Sequence, residues 1–194
     1  MAPILGIYAS QISGHLFAPS GAYDSIATTT VGSGGTASVT FSSISQTYTH
    51  LQIRWLMRSN RASGTNDGLQ VRFNSDTGSN YSNHLLYGDG SGAYAAAGAN
   101  TTSMPLGYGS SNNNISNTFG AGVIDILDYT NTSKYTTGRG LTGLNSNGTG
   151  DDTIGLASGS WRNLNAVTSI TIFPGTGTLF NEYTQIALYG VKGQ

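Results

Sequence analysis

The stretch Thr47-Tyr-Thr-His-Leu-Gln-Ile-Arg-Trp-Leu-Met-Arg-Ser59 constrains the fold more tightly than any other part of the chain. Leu51, Ile53, Trp55 and Met57 fall on one side of an extended strand, and His50, Gln52, Arg54 and Arg58 fall on the other. Alternation with a period of two, broken only at Leu56, marks a strand with one face in a core and a polar face opposite. A helix would spread the same apolar residues around its circumference, and Thr47, Tyr48 and Thr49 favour an extended backbone as well. The rest of the chain is expected to supply further strands that cover Leu51, Ile53 and Trp55.

It contains material for them. Asp24–Val31 and Thr36–Ile44 flank the turn Gly32-Ser-Gly-Gly35, a hairpin signal, with Ala37, Val39 and Phe41 on one face. Beyond a polar loop at 59–67, Leu69, Val71 and Phe73 alternate with Gln70, Arg72 and Asn74. Tyr81–Tyr87, Phe119–Tyr129, Lys134–Leu144, Thr153–Trp161, Val167–Pro174 and Phe180–Val191 continue the series. Roughly nine or ten strand candidates at regular spacing, with no credible helix, predict an all-β, two-sheet antiparallel sandwich. Eight main strands with unequal connections would make it jelly-roll-like. Residues 88–118 form the longest weakly patterned region and read as a loop, of a length that in compact domains is functional or mobile.

Residues 1–22 differ in character. Ile4, Leu5, Ile7, Tyr8, Ile12, Leu16 and Phe17 lie among Gly6, Gly14, Pro19 and Gly21 without strand or helix periodicity. The start has no charged n-region and only a brief apolar run, so it reads as mature sequence. An apolar extended arm must bury itself, either on its own domain or on a neighbouring subunit or another protein. The expected organisation is a docking arm, 1–22, followed by the sandwich, 23–194.

Composition bears on what such a sandwich does. Charged residues make up 9% of the 194, with Lys134 and Lys192 the only lysines and Glu182 the only glutamate. A soluble domain ordinarily carries about a quarter. The polar surface must come from Ser, Thr, Asn and 28 glycines, poor material for helices. So little charge suits a subunit packed in an assembly better than an independent cytosolic enzyme. A net charge of −1 provides no footprint for nucleic acid, and no basic run or long apolar stretch points to a membrane. With no cysteine there is no disulfide framework and no thiolate chemistry.

Catalytic and metal-binding patterns are weak throughout. His15, His50 and His84 have no ligand neighbour at metal-binding spacing. No Gly-x-Ser-x-Gly elbow accompanies the many serines. Asp125 and Asp128 would fall on opposite faces of a regular strand, Asp151-Asp152 sits in a turn, and no pair stands out as a glycosidase acid and base. Asn74-x-Asp76-x-Gly78 and the run Asn145–Asp152 supply alternating oxygens of the kind Ca²⁺ takes. A chain this rich in Asn, Asp and Gly produces such strings by composition alone, and no metal or cofactor is assigned. The sequons at Asn80, Asn100, Asn114, Asn131 and Asn147 follow from the same composition. Eleven tyrosines are more informative: Tyr94, Tyr108 and Tyr135, read as loop residues, offer rigid amphipathic surface for a glycan or a subunit contact.

Several stretches together resemble small virion proteins of tailed bacteriophages: Ser25–Gly35, Val39–Ile44, Tyr48–Arg54, Val71–Asp76, Val123–Tyr129 and Ile186–Gly193. The resemblance covers most of 23–193 and carries no catalytic motif. It implies a non-enzymatic virion β-sandwich, assembled in the host cytoplasm, with the major capsid protein or other virion proteins as partners. One domain behind a short arm suits a capsid decoration (cement) protein or short head fibre that clips capsomers together as a homotrimer. A tail-fibre or receptor-binding adhesin, reading a host-surface glycan through the 88–118 region, is the second expectation.

Overall fold

A computed structural model describes residues 21–147 and 152–193. The expected arm residues Ile4, Leu5, Ile7, Tyr8, Ile12, Leu16 and Phe17 lie outside the described residues, as does His15. The described residues form twelve strands: β1 (Tyr23–Thr30), β2 (Val39–Phe41), β3 (His50–Met57), β4 (Asn66–Phe73), β5 (Tyr81–Gly88) and β6 (Ala93–Thr101), then β7 (Met104–Ser110), β8 (Gly120–Leu127), β9 (Thr136–Leu144), β10 (Thr153–Trp161), β11 (Ile170–Pro174) and β12 (Gln185–Val191). They make two antiparallel sheets, one of eight strands in the order β1-β12-β3-β8-β9-β10-β5-β6 and one of four in the order β2-β11-β4-β7. The all-β, two-sheet sandwich is therefore the fold, with a marked inequality between its layers.

The core lies where the alternation of β3 puts it. Leu51, Ile53, Trp55 and Met57 are buried against Leu69, Val71 and Phe73 of β4, Ile170 and Ile172 of β11, and Ile186 and Leu188 of β12. Aliphatic and aromatic side chains of this size each contribute about 1.5–3 kcal/mol on burial, which makes this cluster the main source of stability. A second aromatic group closes one end: Trp161 meets Phe73 edge-on at 5.6 Å and stacks with Tyr81 at 6.4 Å.

Three expectations need correction. The first is the loop at 88–118, which contains β6 and β7. Strand β6 is exposed on both faces because it projects past the small sheet, so no burial imposes an alternation on it. Strand β7 hides its pattern in glycine. A Cβ on Gly107 would lie 2.5 Å from Trp55 Cζ2, and one on Gly109 would lie 2.2 Å from Met57 Cγ. The missing side chains are the space those two core residues occupy.

The second is the hairpin at Gly32–Gly35. Strand β1 pairs with β12 and β2 pairs with β11, so this turn carries the chain from one sheet to the other. Gly35 has φ +75° and passes so close to β12's approach that a Cβ would meet the Phe180 carbonyl at 2.5 Å. Pairing of Val31 with Thr184 and of Thr36 with Phe180 anchors the crossover on both sides.

The third is Arg58, expected on the polar face with Arg54. The strand ends at Met57, and Arg58 turns inward and is buried. Its guanidinium donates to the carbonyls of Asn114, Ile115 and Thr118, pinning the connection between β7 and β8. Burial lowers its pKa from the ordinary value, yet carbonyl partners satisfy it without a carboxylate.

Candidate interaction surfaces

The inner faces of β9 and β10 are built from small residues. Gly138 and Gly140 of β9, and Gly155, Ala157 and Gly159 of β10, point into the sandwich. A Cβ on Gly140 would sit 1.9 Å from the Leu106 carbonyl, so β7 lies almost directly on the β9 backbone. With these inside positions taken by glycine and alanine, Leu144 is the one large aliphatic residue of the two strands that points in, and the others fall on the outside. Leu141 is 56% exposed, Leu156 53% and Ile154 72%.

Cross-strand register lines these residues up. Val123 of β8 faces Leu141, Leu141 faces Leu156, Leu156 faces Leu86 of β5, and Leu86 faces Ala95 of β6. Beside this row runs a shorter one, Leu56–Ala121–Gly143–Ile154. Leu56, the residue that interrupts the alternation of β3, is thus part of an aliphatic band on the outer face. Shallow depressions between Val123, Leu141, Leu156 and Ile154 roughen it. Exposed apolar patches of this continuity mark interaction sites in soluble proteins.

The next row, Gln52–Asp125–Arg139, is polar, and it is hydrogen-bonded to Arg54, which faces Val123 at the end of the aliphatic row. Arg54 Nε donates to Gln52 Oε1 (3.0 Å), Gln52 Nε2 to Asp125 Oδ1 (2.9 Å), and Arg139 Nε to Asp125 Oδ2 (3.0 Å). Arg54 is also held over the rings of Tyr23 and Tyr189, at 5.5 and 5.2 Å. Asp125 therefore offsets Arg139, Arg54 is held at the β3 end of the band by Gln52 and two tyrosine rings, and Val123, Leu141, Leu156 and Leu86 have no charge among them.

The three tyrosines singled out from the sequence separate. Tyr94 stacks on Tyr87 at 5.3 Å, and Tyr87 packs against Tyr108 at 5.8 Å, giving a trio at the rim where β5, β6 and β7 meet. All three therefore sit in strands, Tyr94 and Tyr108 included. Tyr135 precedes β9 at its far end, about 23 Å from the trio by strand rise from Thr142, whose hydroxyl bonds the Tyr108 backbone. Tyr87, the central ring, has no sequence signal to set it apart, because it reads as an ordinary strand residue.

The ionisable groups do structural work. His50 and His84 lie on β3 and β5, four strand spacings or about 19 Å apart. His50 Nδ1 accepts a hydrogen bond from the Asp128 amide (2.9 Å), and Lys134 beside Asp128 holds that carboxyl below its ordinary value. Asp67 is fully buried and accepts from Ser59 Oγ and the amides of Thr176 and Gly177. Asp76 accepts from the Gly78 amide, Asn80 Nδ2 and Trp161 Nε1, so the first oxygen-rich loop spends its carboxylate on the fold. The second oxygen-rich run lies partly outside the described residues, and Asp152 there bonds Ser146. Among the described residues no group of three or more His, Asp or Glu side chains is placed to hold a metal ion.

The sequence matches no protein-family model and no curated protein.

Proposed function

We propose that this chain is a structural protein of a tailed-phage virion, a capsid decoration protein or short head fibre, which docks on the shell through residues 1–22 and the aliphatic band. The observation that carries this reading is the outward row Val123–Leu141–Leu156–Leu86, with its three leucines exposed and no charged residue within it. A protein partner that covered it would gain about 1.5–3 kcal/mol for each large aliphatic side chain taken fully from water. The stretches that carry the phage resemblance support the reading too, since four of them lie on β1, β12, β3 and β8, adjacent strands of the large sheet.

The test is add-back to particles assembled without this chain. Saturable binding, with a gain in resistance to heat or pressure, is the expected result. Binding should be lost on removing residues 1–22 and on the paired change Leu141→Glu, Leu156→Glu. Failure of the intact protein to bind any such particle would refute the assignment.

The tyrosine trio favours a second reading, a tail-associated adhesin. Tyr94 is 42% exposed with Tyr87 stacked behind it, an arrangement that presents a ring face to a sugar. This reading requires saturable binding of the isolated protein to host cells or surface glycans, lost in Tyr94→Ala.

A further inference from the structure

Sheet edges are where a β-sandwich pairs with another chain unless something prevents it. Among the described residues, three of the four sheet edges carry such a device. Strand β1 is bulged at Ile26, which has no partner between Ser25 and Ala27, and it bears the Asp24–Lys192 ion pair. Strand β2 has three residues. Strand β7 contains Pro105 and leaves Leu106 unpaired opposite β4. The fourth edge, β6, differs. From Ala93 to Ala99 its sequence is Ala-Tyr-Ala-Ala-Ala-Gly-Ala, without charge or proline, in unbroken register with β5. Its bulge comes afterwards, at Asn100, where Arg162 donates to the Asn100 side chain.

We infer that β6 pairs antiparallel with β6 of a second copy, joining two large sheets into one across a two-fold axis. Every other residue of an edge strand turns its N–H and C=O away from the sheet, and an identical strand presents the complementary set when reversed. The strand projects past the small sheet, with its alanines exposed on both faces, so a second copy can approach without meeting the other layer. The small side chains oppose no bulk and no charge. The occupant is a second copy because the segment is self-matched: uncharged and Ala-rich in either direction.

Geometry restricts the register. Facing residues of an antiparallel pair point to the same side of the sheet, so a two-fold axis normal to it passes through a residue that faces its own copy. Centring on Ala95, Ala96 or Ala97 keeps the pairing within the unbulged segment. Centring on Ala95 would also run the aliphatic row of one copy into that of the other, since Ala95 ends the row from Leu86. This arrangement is two-fold, whereas the sequence led to the expectation of a trimer, and it stands independently of the virion reading.

The test uses the full chain. Light scattering across a concentration series is expected to give twice the mass of one chain. The paired change Ala95→Lys, Ala97→Lys places like charges opposite one another in each of the three registers and should return the mass to that of a single chain. The chain has no cysteine, so Ala95→Cys, Ala96→Cys and Ala97→Cys can be oxidised one at a time, and the variant on the axis should cross-link preferentially. A wild-type monomer, an odd-numbered assembly, a mass the lysine pair leaves unchanged, or no cross-link from any of the three positions would overturn the proposal.

Discussion

Trp55 and Gly122 face each other across β3 and β8, and the indole occupies the place where a Gly122 side chain would be. A Cβ there would lie 2.4 Å from Trp55 Cζ2 and 2.5 Å from the Leu141 carbonyl. The largest residue of the inner face of β3 is thus accommodated by the absence of one on its neighbour.

Gly122→Ala should therefore overpack the core and cost about 1–3 kcal/mol. Gly143 is the control, on the outer face of the adjacent strand, where an added methyl group would find nothing within 4 Å. Gly143→Ala should be neutral or stabilising by up to about 1 kcal/mol, through reduced freedom of the unfolded chain. Urea midpoints at constant m-value measure both. Equal effects at the two sites would contradict the packing described.

Arg58 is the second structural dependency. Truncation in Arg58→Met leaves three carbonyls of the β7–β8 connection without their donor, at an expected cost of about 3 kcal/mol. Limited proteolysis should then cut within 111–118 well before the rest of the sandwich. Arg58→Lys, with a single ammonium for three acceptors, should recover only part of the loss. A variant as stable and as resistant to proteolysis as wild type would show that the connection holds itself.

The aliphatic band makes the opposite forecast. Leu141→Glu and Leu156→Glu change exposed outer-face positions, so each should alter unfolding free energy by no more than about 0.5 kcal/mol. Partner binding should fall while thermal unfolding of the isolated protein stays put. Loss of fold on charging either leucine would mean the band is covered by the chain itself.

Alkaline pH should weaken the fold through Tyr81. Burial raises its phenol from 10.0 to about 12, against the smaller lowering effect of the Phe73 hydrogen bond. A raised folded value means a contribution that is complete below about 10 and is lost as pH climbs toward 12. Denaturant midpoints measured between pH 9 and about 12 should decline, and Tyr81→Phe, though less stable at neutral pH, should flatten that decline. An unchanged slope in the variant would place the titrating group elsewhere.

At acid pH the relevant group is Asp76. Burial opposes its charged form, but hydrogen bonds from Trp161, Asn80, the Gly78 amide and Asn163 outweigh that and hold it below 3.8. The stability it contributes is present above 3.8 and is lost as pH falls through the lower folded value. Asp76→Asn should remove that part of the acid dependence, and the near-ultraviolet signal of Trp161 should report it.

The parts of this structure legible beforehand share one property: they are written in adjacent residues. Leu51, Ile53, Trp55 and Met57 declare both a strand and its buried face, because successive side chains of an extended backbone point to opposite sides whatever lies beyond. The same local rule located β4, β5, β8 and β12. It failed at β6, which has no buried face, and at β7, whose inward residues are glycines fitted to Trp55 and Met57. Leu56 was visible as an apolar residue out of phase, but only a register across five strands shows it to share one band with Leu141, Leu156 and Leu86.

By itself, then, the sequence determined that the chain folds into strands, which residues most of them bury, and that a scarcely charged surface would cover the result. Tertiary structure alone decided that the Gly32–Gly35 turn crosses between sheets, that Arg58 faces inward, and that among the described residues β6 ends the large sheet with an edge free of charge, proline or bulge over 93–99. Side-chain alternation is set by backbone geometry within a few residues. Pairings such as β1 with β12 are chosen by competition among strands far apart in the chain, and no short stretch records the outcome.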